Sequence, residues 1–183
     1  MGSLGNVRIG QKAPDFTVDA VIDGDFEGWY LRVCHQGKFI LQKTHADDAT
    51  EWSLYEHLSH GQWVFLLFIP AAFSFVCPTE VLAFSNCIEE FAERQTSVAF
   101  ISTDTKHVMW HWQELPRKHG GLGKCAIPLL ADPSHHITKT WGILVEDEGV
   151  ALRGMFLVDP QGLVQHVSLP SESPHPYHIL LCT

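Results

Sequence analysis

Five cysteines and twelve histidines are the residues with which this chain of 183 could do covalent or metal chemistry. The cysteines (Cys34, Cys77, Cys87, Cys125, Cys182) are odd in number, widely spread and form no Cys-x-x-Cys pair. Neither a zinc ribbon nor a disulfide scaffold is therefore indicated, and reduced thiols are expected. Cys77 stands apart. It follows a continuous apolar run, residues 63–69, and directly precedes Pro78, a residue type favoured at the first position of a helix. That order predicts Cys77 at a helix N-cap, where unpaired N–H groups and the positive end of the dipole favour an anion. The thiolate is the nucleophilic form of cysteine, so the position suits a nucleophile. Glu80 stands three residues on, where a carboxylate can reach back to cap the first turn. The competing reading of Cys77 is a buried, inert core thiol.

The histidines offer less. His107 and His111 are spaced i,i+4, and His57 with His60 and His175 with His178 are spaced i,i+3. Such spacings can bind a metal on one helix face. No acidic or cysteine ligand stands at matching spacing and no His-Glu-x-x-His occurs, so surface histidines and no metal are expected.

Presenting Cys77 takes a strand, a helix and a second strand. Residues 63–69 form an apolar strand of the kind buried on both faces of a sheet, placed centrally because an exposed edge of this composition would aggregate. Val81, Phe84, Ile88 and Phe91 recur at helical spacing to about Arg94, and residues 97–103 are a second strand, which completes a βαβ unit. A helix carrying Trp110 and Trp112 follows His107 and ends before Gly120-Gly121-Leu122-Gly123. Residues 128–132 read as a strand, 134–141 as a helix, and 155–158 with 163–167 as a hairpin. Earlier in the chain, 17–22 reads as extended, Asp23-Gly24-Asp25 as a turn, His45-Ala46-Asp47-Asp48 as an exposed loop and 53–58 as a helical turn. The pattern over 31–51 is mixed. Pro170, Pro174 and Pro176 forbid a regular element in the tail. The whole reads as α/β with a mixed sheet, one domain over residues 1–169 and an irregular tail over 170–183.

A formal charge of −9 repels nucleic acid and anionic membranes. The longest apolar run, 63–73, is broken by Pro70 and falls short of the roughly 18 residues of a membrane span. No basic and apolar blocks of a signal peptide open the chain, so a cytoplasmic protein is expected.

Pro70-Ala71-Ala72-Phe73-Ser74-Phe75-Val76-Cys77-Pro78-Thr79-Glu80 resembles the active-site segment of peroxiredoxins, Pro-x-x-x-(Thr/Ser)-x-x-Cys followed by Pro-Thr-Glu. Ala13-Pro14-Asp15-Phe16, Pro116-Arg117-Lys118-His119-Gly120-Gly121-Leu122-Gly123, Ile127-Pro128-Leu129-Leu130-Ala131-Asp132, Asp147-Glu148-Gly149 and Arg153-Gly154-Met155-Phe156-Leu157-Val158-Asp159 resemble the typical two-cysteine branch of that family, in the right order. The resemblance implies a thioredoxin-like fold, with a central mixed sheet flanked by helices. It also implies a thiol-dependent peroxidase that reduces hydrogen peroxide and organic hydroperoxides. Cys77 would be the peroxidatic cysteine, attacking one peroxide oxygen and becoming a sulfenic acid. Ser74 would hydrogen-bond the peroxide and Pro70 would shield the thiolate from water. Arg153 would hold the thiolate and stabilise charge on the leaving oxygen, with Glu80 and Trp112 in support. No cofactor is implied. The partners implied are a peroxide, thioredoxin or another thiol reductant, and a second copy or more of the chain.

The chain departs from the family pattern in several places. Ile69 and Ala72 replace an aromatic and an acidic residue beside the proline motif, and residues 31–52 read as an insertion. The family's C-terminal arm, with its resolving cysteine and second arginine, does not appear; residues 170–183 read as an altered, shortened end. Gly120-Gly121-Leu122-Gly123 matches a family motif tied to over-oxidation, but without that arm an ordinary flexible loop is expected. The sulfenic acid then needs another thiol. Cys87 would lie ten residues along the same helix, roughly 15 Å away and too far for a disulfide. Cys125 is placed in a loop and would pair only after local unfolding. An external thiol is preferred, with Cys182 the best internal alternative and Cys34 another mobile thiol. A different reading is a catalytically impaired protein that binds partners or holds unfolded clients.

Overall fold

A computed structural model describes residues 7–22, 29–34, 38–43, 51–74, 76–123 and 125–169. Strand β1 (Thr17–Val21) is followed by β2 (Trp29–Cys34), β3 (Lys38–Lys43), β4 (Glu51–Ser53) and helix α1 (Leu54–Ser59). The apolar run then forms β5 (Trp63–Phe68), leading to α2 (Cys77–Asn86), α3 (Ile88–Glu93) and β6 (Thr96–Ser102). After α4 (Lys106–Glu114) and a 3-10 turn (Arg117–His119) come β7 (Leu129–Ala131) and α5 (His136–Thr140). Two short strands, β8 (Leu144–Val145) and β9 (Val150–Ala151), precede the hairpin of β10 (Gly154–Val158) and β11 (Val164–Ser168).

Seven strands make one mixed sheet in the order β11-β10-β5-β6-β7-β1-β4. β5, β6 and β7 run parallel, while β10 lies antiparallel to β5 and β1 antiparallel to β7. β5 is thus interior, as an apolar run without polar alternation requires. Its side chains divide by the two-residue period of a strand. Val64, Leu66 and Phe68 join a cluster with Leu54, Ile137, Trp141 and Phe156 on the face of α1 and α5. Leu67 and Ile69 join Cys77, Val81, Phe84, Met109 and Trp112 on the face of α2 and α4. Helices on both faces of a central mixed sheet are the predicted class, a thioredoxin-like fold.

Three readings of the sequence change. The long helix predicted to Arg94 breaks at Cys87, which leaves the helical region (φ −105°, ψ 10°) and caps α2. Across the bend Phe84 and Phe91 stack on each other at 5.8 Å, and both approach Phe65, at 5.7 and 6.1 Å. The mixed stretch contains β2 and β3, paired from Trp29 opposite Lys43 to Cys34 opposite Lys38, and ends in β4, which joins the main sheet beside β1. His57, expected at the surface, is half-buried: its ring stacks on Trp52 at 4.5 Å, and its Nδ1 is 2.9 Å from the Ser53 carbonyl. Burial lowers its pKa from the usual histidine range, partly opposed by that hydrogen bond and by Glu56. The predicted turn at 23–25, the loop at 45–48 and the tail at 170–183 lie outside the described residues.

Candidate active site

β5 delivers the chain to the site. Just beyond its end, the Ile69 N–H donates to the Ile101 carbonyl at 2.9 Å, so the chain leaves the sheet still joined to β6. It then turns through Pro70, Ala71 and Ala72 to Phe73, whose φ of 57° is left-handed and strained for a bulky residue. The chain reverses there, and Ser74 Oγ accepts the Cys77 N–H at 3.4 Å. The helix starts one residue earlier than expected. Val76, not Cys77, occupies the N-cap, and Cys77 is the first helical residue with Pro78 second. Because Val76 has no polar side chain to offer, Ser74, three residues before Cys77, takes one of the orphan N–H groups of the first turn. The Cys77 residue is fully buried.

Pairing of β10 with β5 sets the second half of the site. Gly154 lies opposite Phe68, so Arg153, just before β10, emerges where β5 gives way to the cysteine loop. Arg153 Nη2 donates to Cys77 Sγ at 3.4 Å, and Arg153 Nε lies 3.3 Å from each Glu80 carboxylate oxygen. Glu80 therefore does not cap the helix; it holds the guanidinium, whose other end meets the sulfur. Burial raises the Glu80 pKa above the usual carboxylate range, and the Coulombic pull and hydrogen bond of Arg153 work against that rise. An apolar recess flanks the pair, lined by Ile69, Phe84, Phe100 and Met155 beside Glu80 and Arg153.

Trp112 is fully buried in the same apolar cluster as Cys77, with its ring 6.2 Å from that of Phe73, so it packs against the cysteine loop. Its Nε1 donates to the Gly120 carbonyl at 3.1 Å, and its own carbonyl accepts the Leu122 N–H at 2.8 Å. Gly120-Gly121-Leu122-Gly123 is thus a tied segment, contrary to the flexible loop expected. Leu122 is fully buried. A Cβ at Gly121 would sit 2.0 Å from the Leu115 carbonyl oxygen, so only glycine fits there. Pro70 is half-buried on the loop itself. His107 and His111 are exposed on α4, the latter with its ring 6.0 Å from that of Phe73. Among the described residues no group of three or more potential ligands could hold a metal ion.

The structure thus brings Cys77, Ser74, Arg153 and Glu80 into one hydrogen-bonded set, with Pro70 and Trp112 around it. Cys182 lies outside the described residues. One residue of the loop's framework was not singled out from sequence: Asp104, whose Oδ2 accepts the Ala72 N–H at 2.6 Å. Its partner is 32 positions away, and no local spacing signals such a bond.

Comparison with known proteins gives this arrangement its family. The model of the AhpC/TSA family matches residues 9–167. The chain belongs to that family. It is 42% identical over 164 residues to the Schizosaccharomyces pombe peroxiredoxin tpx1, covering 90% of this chain and 72% of the relative. To the Saccharomyces cerevisiae peroxiredoxin TSA1 it is 40% identical over 162 residues, covering 88% and 70%. Among solved structures, the reduced Plasmodium vivax 2-Cys peroxiredoxin aligns with a TM-score of 0.72 at 30% identity, over 88% of this chain and 72% of that one. This peroxiredoxin is a thiol-dependent peroxidase, and the binding or holdase alternative is not favoured. Among the described residues no helix is long and apolar enough to cross a membrane.

Proposed function

We propose that Cys77 is the peroxidatic nucleophile, within a peroxiredoxin domain spanning residues 1–169. The observation that carries this is the guanidinium of Arg153 on the Cys77 sulfur, on a cysteine that opens a helix. The Cys77 thiolate attacks one peroxide oxygen and the O–O bond breaks. The attacked oxygen stays on sulfur as a sulfenic acid, and the other leaves with a proton as water or an alcohol. Sulfur loses two electrons and the peroxide gains them. Arg153 stabilises the charge building on the leaving oxygen, and Ser74 Oγ hydrogen-bonds the bound peroxide. Pro70 keeps water from the sulfur, while Glu80 aims Arg153 and Trp112 supports the loop from below. The apolar recess beside Arg153 favours organic hydroperoxides as well as hydrogen peroxide.

The sulfenic acid is reduced by an external thiol, thioredoxin or another, which forms a mixed disulfide and releases water; a second thiol then frees Cys77. Cys87, at the far end of α2, supports this reading, because ten residues of helix separate it from Cys77 by roughly 15 Å, beyond disulfide reach. Cys125 is buried in the core. Cys182 is the internal alternative. The protein works in the cytoplasm as a homodimer or larger homo-oligomer, and its net negative charge disfavours nucleic acid and anionic membranes. Peroxide consumption by the wild type and Cys77→Ser, with thioredoxin and with glutathione, tests the reading. Disulfide mapping after one equivalent of peroxide separates the two resolving routes: a mixed disulfide with added thiol supports the external route, and a dominant Cys77–Cys182 bridge overturns it.

A further inference from the structure

Asp104 sits two residues beyond the end of β6, at the start of the turn into α4. A carboxylate beside a helix start is within reach of its unpaired N–H groups. Capping falls instead to Thr105, the N-cap residue, whose side chain accepts the Val108 N–H at 3.4 Å. The carboxylate of Asp104 turns the other way. One oxygen, Oδ2, accepts the Ala72 N–H at 2.6 Å and the Ser102 hydroxyl at 2.7 Å, and Ser102 is fully buried. The Asp104 N–H donates back to Ser102 Oγ at 3.2 Å, which closes a small ring at the end of β6. The cysteine loop is therefore joined to β6 twice: by Ile69 N–H on the Ile101 carbonyl and by Ala72 N–H on Asp104. The second junction falls immediately before Phe73, the strained residue at which the chain reverses to bring Ser74 to the Cys77 N–H. A left-handed phenylalanine that is 42% exposed has little burial of its own to hold it, so a fixed point beside it is needed.

We infer that Asp104 is a positioning residue for peroxide reduction: by holding the Ala72 N–H it fixes the reversal at Phe73 and so the placement of Ser74 Oγ beside the nucleophile. The inference rests on the peroxidase reading above. Asp104 touches neither the thiol nor the peroxide; it acts through the Pro70–Ser74 backbone. Its loss should therefore impair the reaction that needs Ser74 aligned and spare reactions of the same sulfur that make no use of Ser74.

The test compares two reactions of Cys77 in the full chain, rapid oxidation by hydrogen peroxide and alkylation by iodoacetamide. Asp104→Ala should slow the peroxide reaction by at least about tenfold, as sub-ångström misalignment does, while alkylation changes by less than about twofold. Asp104→Asn keeps an acceptor for the Ala72 N–H and should recover most of the loss. Ser102→Ala removes the second donor to Oδ2 and the acceptor of the Asp104 N–H but leaves the bond to Ala72, and should give a smaller change in the same direction. In a Ser74→Ala background, Asp104→Ala should add less than about twofold, since the two residues then act along one line. An active wild type whose Asp104→Ala variant keeps its full peroxide rate, or slows equally in both reactions, overturns the inference and leaves the peroxidase reading standing. A wild type that consumes no peroxide overturns that reading, and the inference with it.

Discussion

Each face of the central sheet carries its own buried apolar cluster, and the two clusters differ in what they enclose. On the α1 and α5 face, Trp141 packs edge-on against Phe156 at 4.9 Å and lies 5.8 Å from Phe68, with Phe16 and Trp52 stacked at 5.6 Å nearby. On the α2 and α4 face the buried aromatic side chains Phe84, Phe100 and Trp112 share their cluster with Cys77, whose sulfur meets the Arg153 guanidinium and, through it, the Glu80 carboxylate. Both faces are fed by alternate residues of the same strands, β5 and β6. The difference arises at the strand ends, where the α2 and α4 face receives the Cys77 loop from β5 and Arg153 from the start of β10. Burial alone therefore does not separate chemistry from packing; what separates them is which side of the sheet the strand ends hand their loops to.

If that division is real, changes on one face should alter rate without stability, and changes on the other the reverse. The largest effect expected is from Cys77→Ser, which should abolish peroxide consumption with little change in thermal midpoint; full activity in that variant would end the assignment. Trp141→Ala should cost about 3–5 kcal/mol of stability, measured by urea unfolding, while the folded fraction keeps its rate per molecule. A wild-type unfolding curve for that variant would mean the aromatic face is not where stability resides. Arg153→Ala should slow sulfenic acid formation by at least about tenfold, since it removes a preorganised donor. Glu80→Gln leaves the guanidinium in place with a weaker anchor, so its loss should be smaller than that of Arg153→Ala in the same assay; an equal loss would make Glu80 as important as the cation itself.

The smallest effect lies at His57. Its folded pKa is lowered by burial, so the unfolded chain takes up its proton first on acidification. The stability this neutral ring contributes is present above the usual histidine range and is lost as the pH falls through the lowered folded value. Thermal midpoints measured from neutral pH downward should decline, and less steeply in His57→Gln. An identical slope in both proteins would assign the decline to other groups.

Strand β5 was legible because seven consecutive apolar residues admit few alternatives, and Cys77 because a thiol between that run and Pro78 has one natural place. The bend at Cys87 was not legible, since Val81, Phe84, Ile88 and Phe91 keep helical spacing straight through it. Neither were β2 and β3, whose alternation is diluted by charged residues, nor β8 and β9, at two residues each. The site shows the same boundary. Ser74 and Cys77 are three positions apart and could be read together, whereas Arg153 and Glu80 are 73 positions apart and the bond between them belongs to sheet register. Glu80 read as a cap because its local partner was visible and its true one was not. Arg153 was found by family resemblance, and Asp104 by neither route.

The register of β10 on β5 also gives the site a history during synthesis. Cys77 leaves the ribosome 76 residues ahead of Arg153, a lag on the order of ten seconds at about 5–20 residues per second. Throughout that interval the growing chain holds its strand, its helix and its thiol, but not the cation that completes the set. Only when Gly154 comes to rest opposite Phe68 does the sulfur meet the guanidinium. A nascent or prematurely terminated chain thus carries Cys77 without the guanidinium that lies 3.4 Å from its sulfur in the finished molecule.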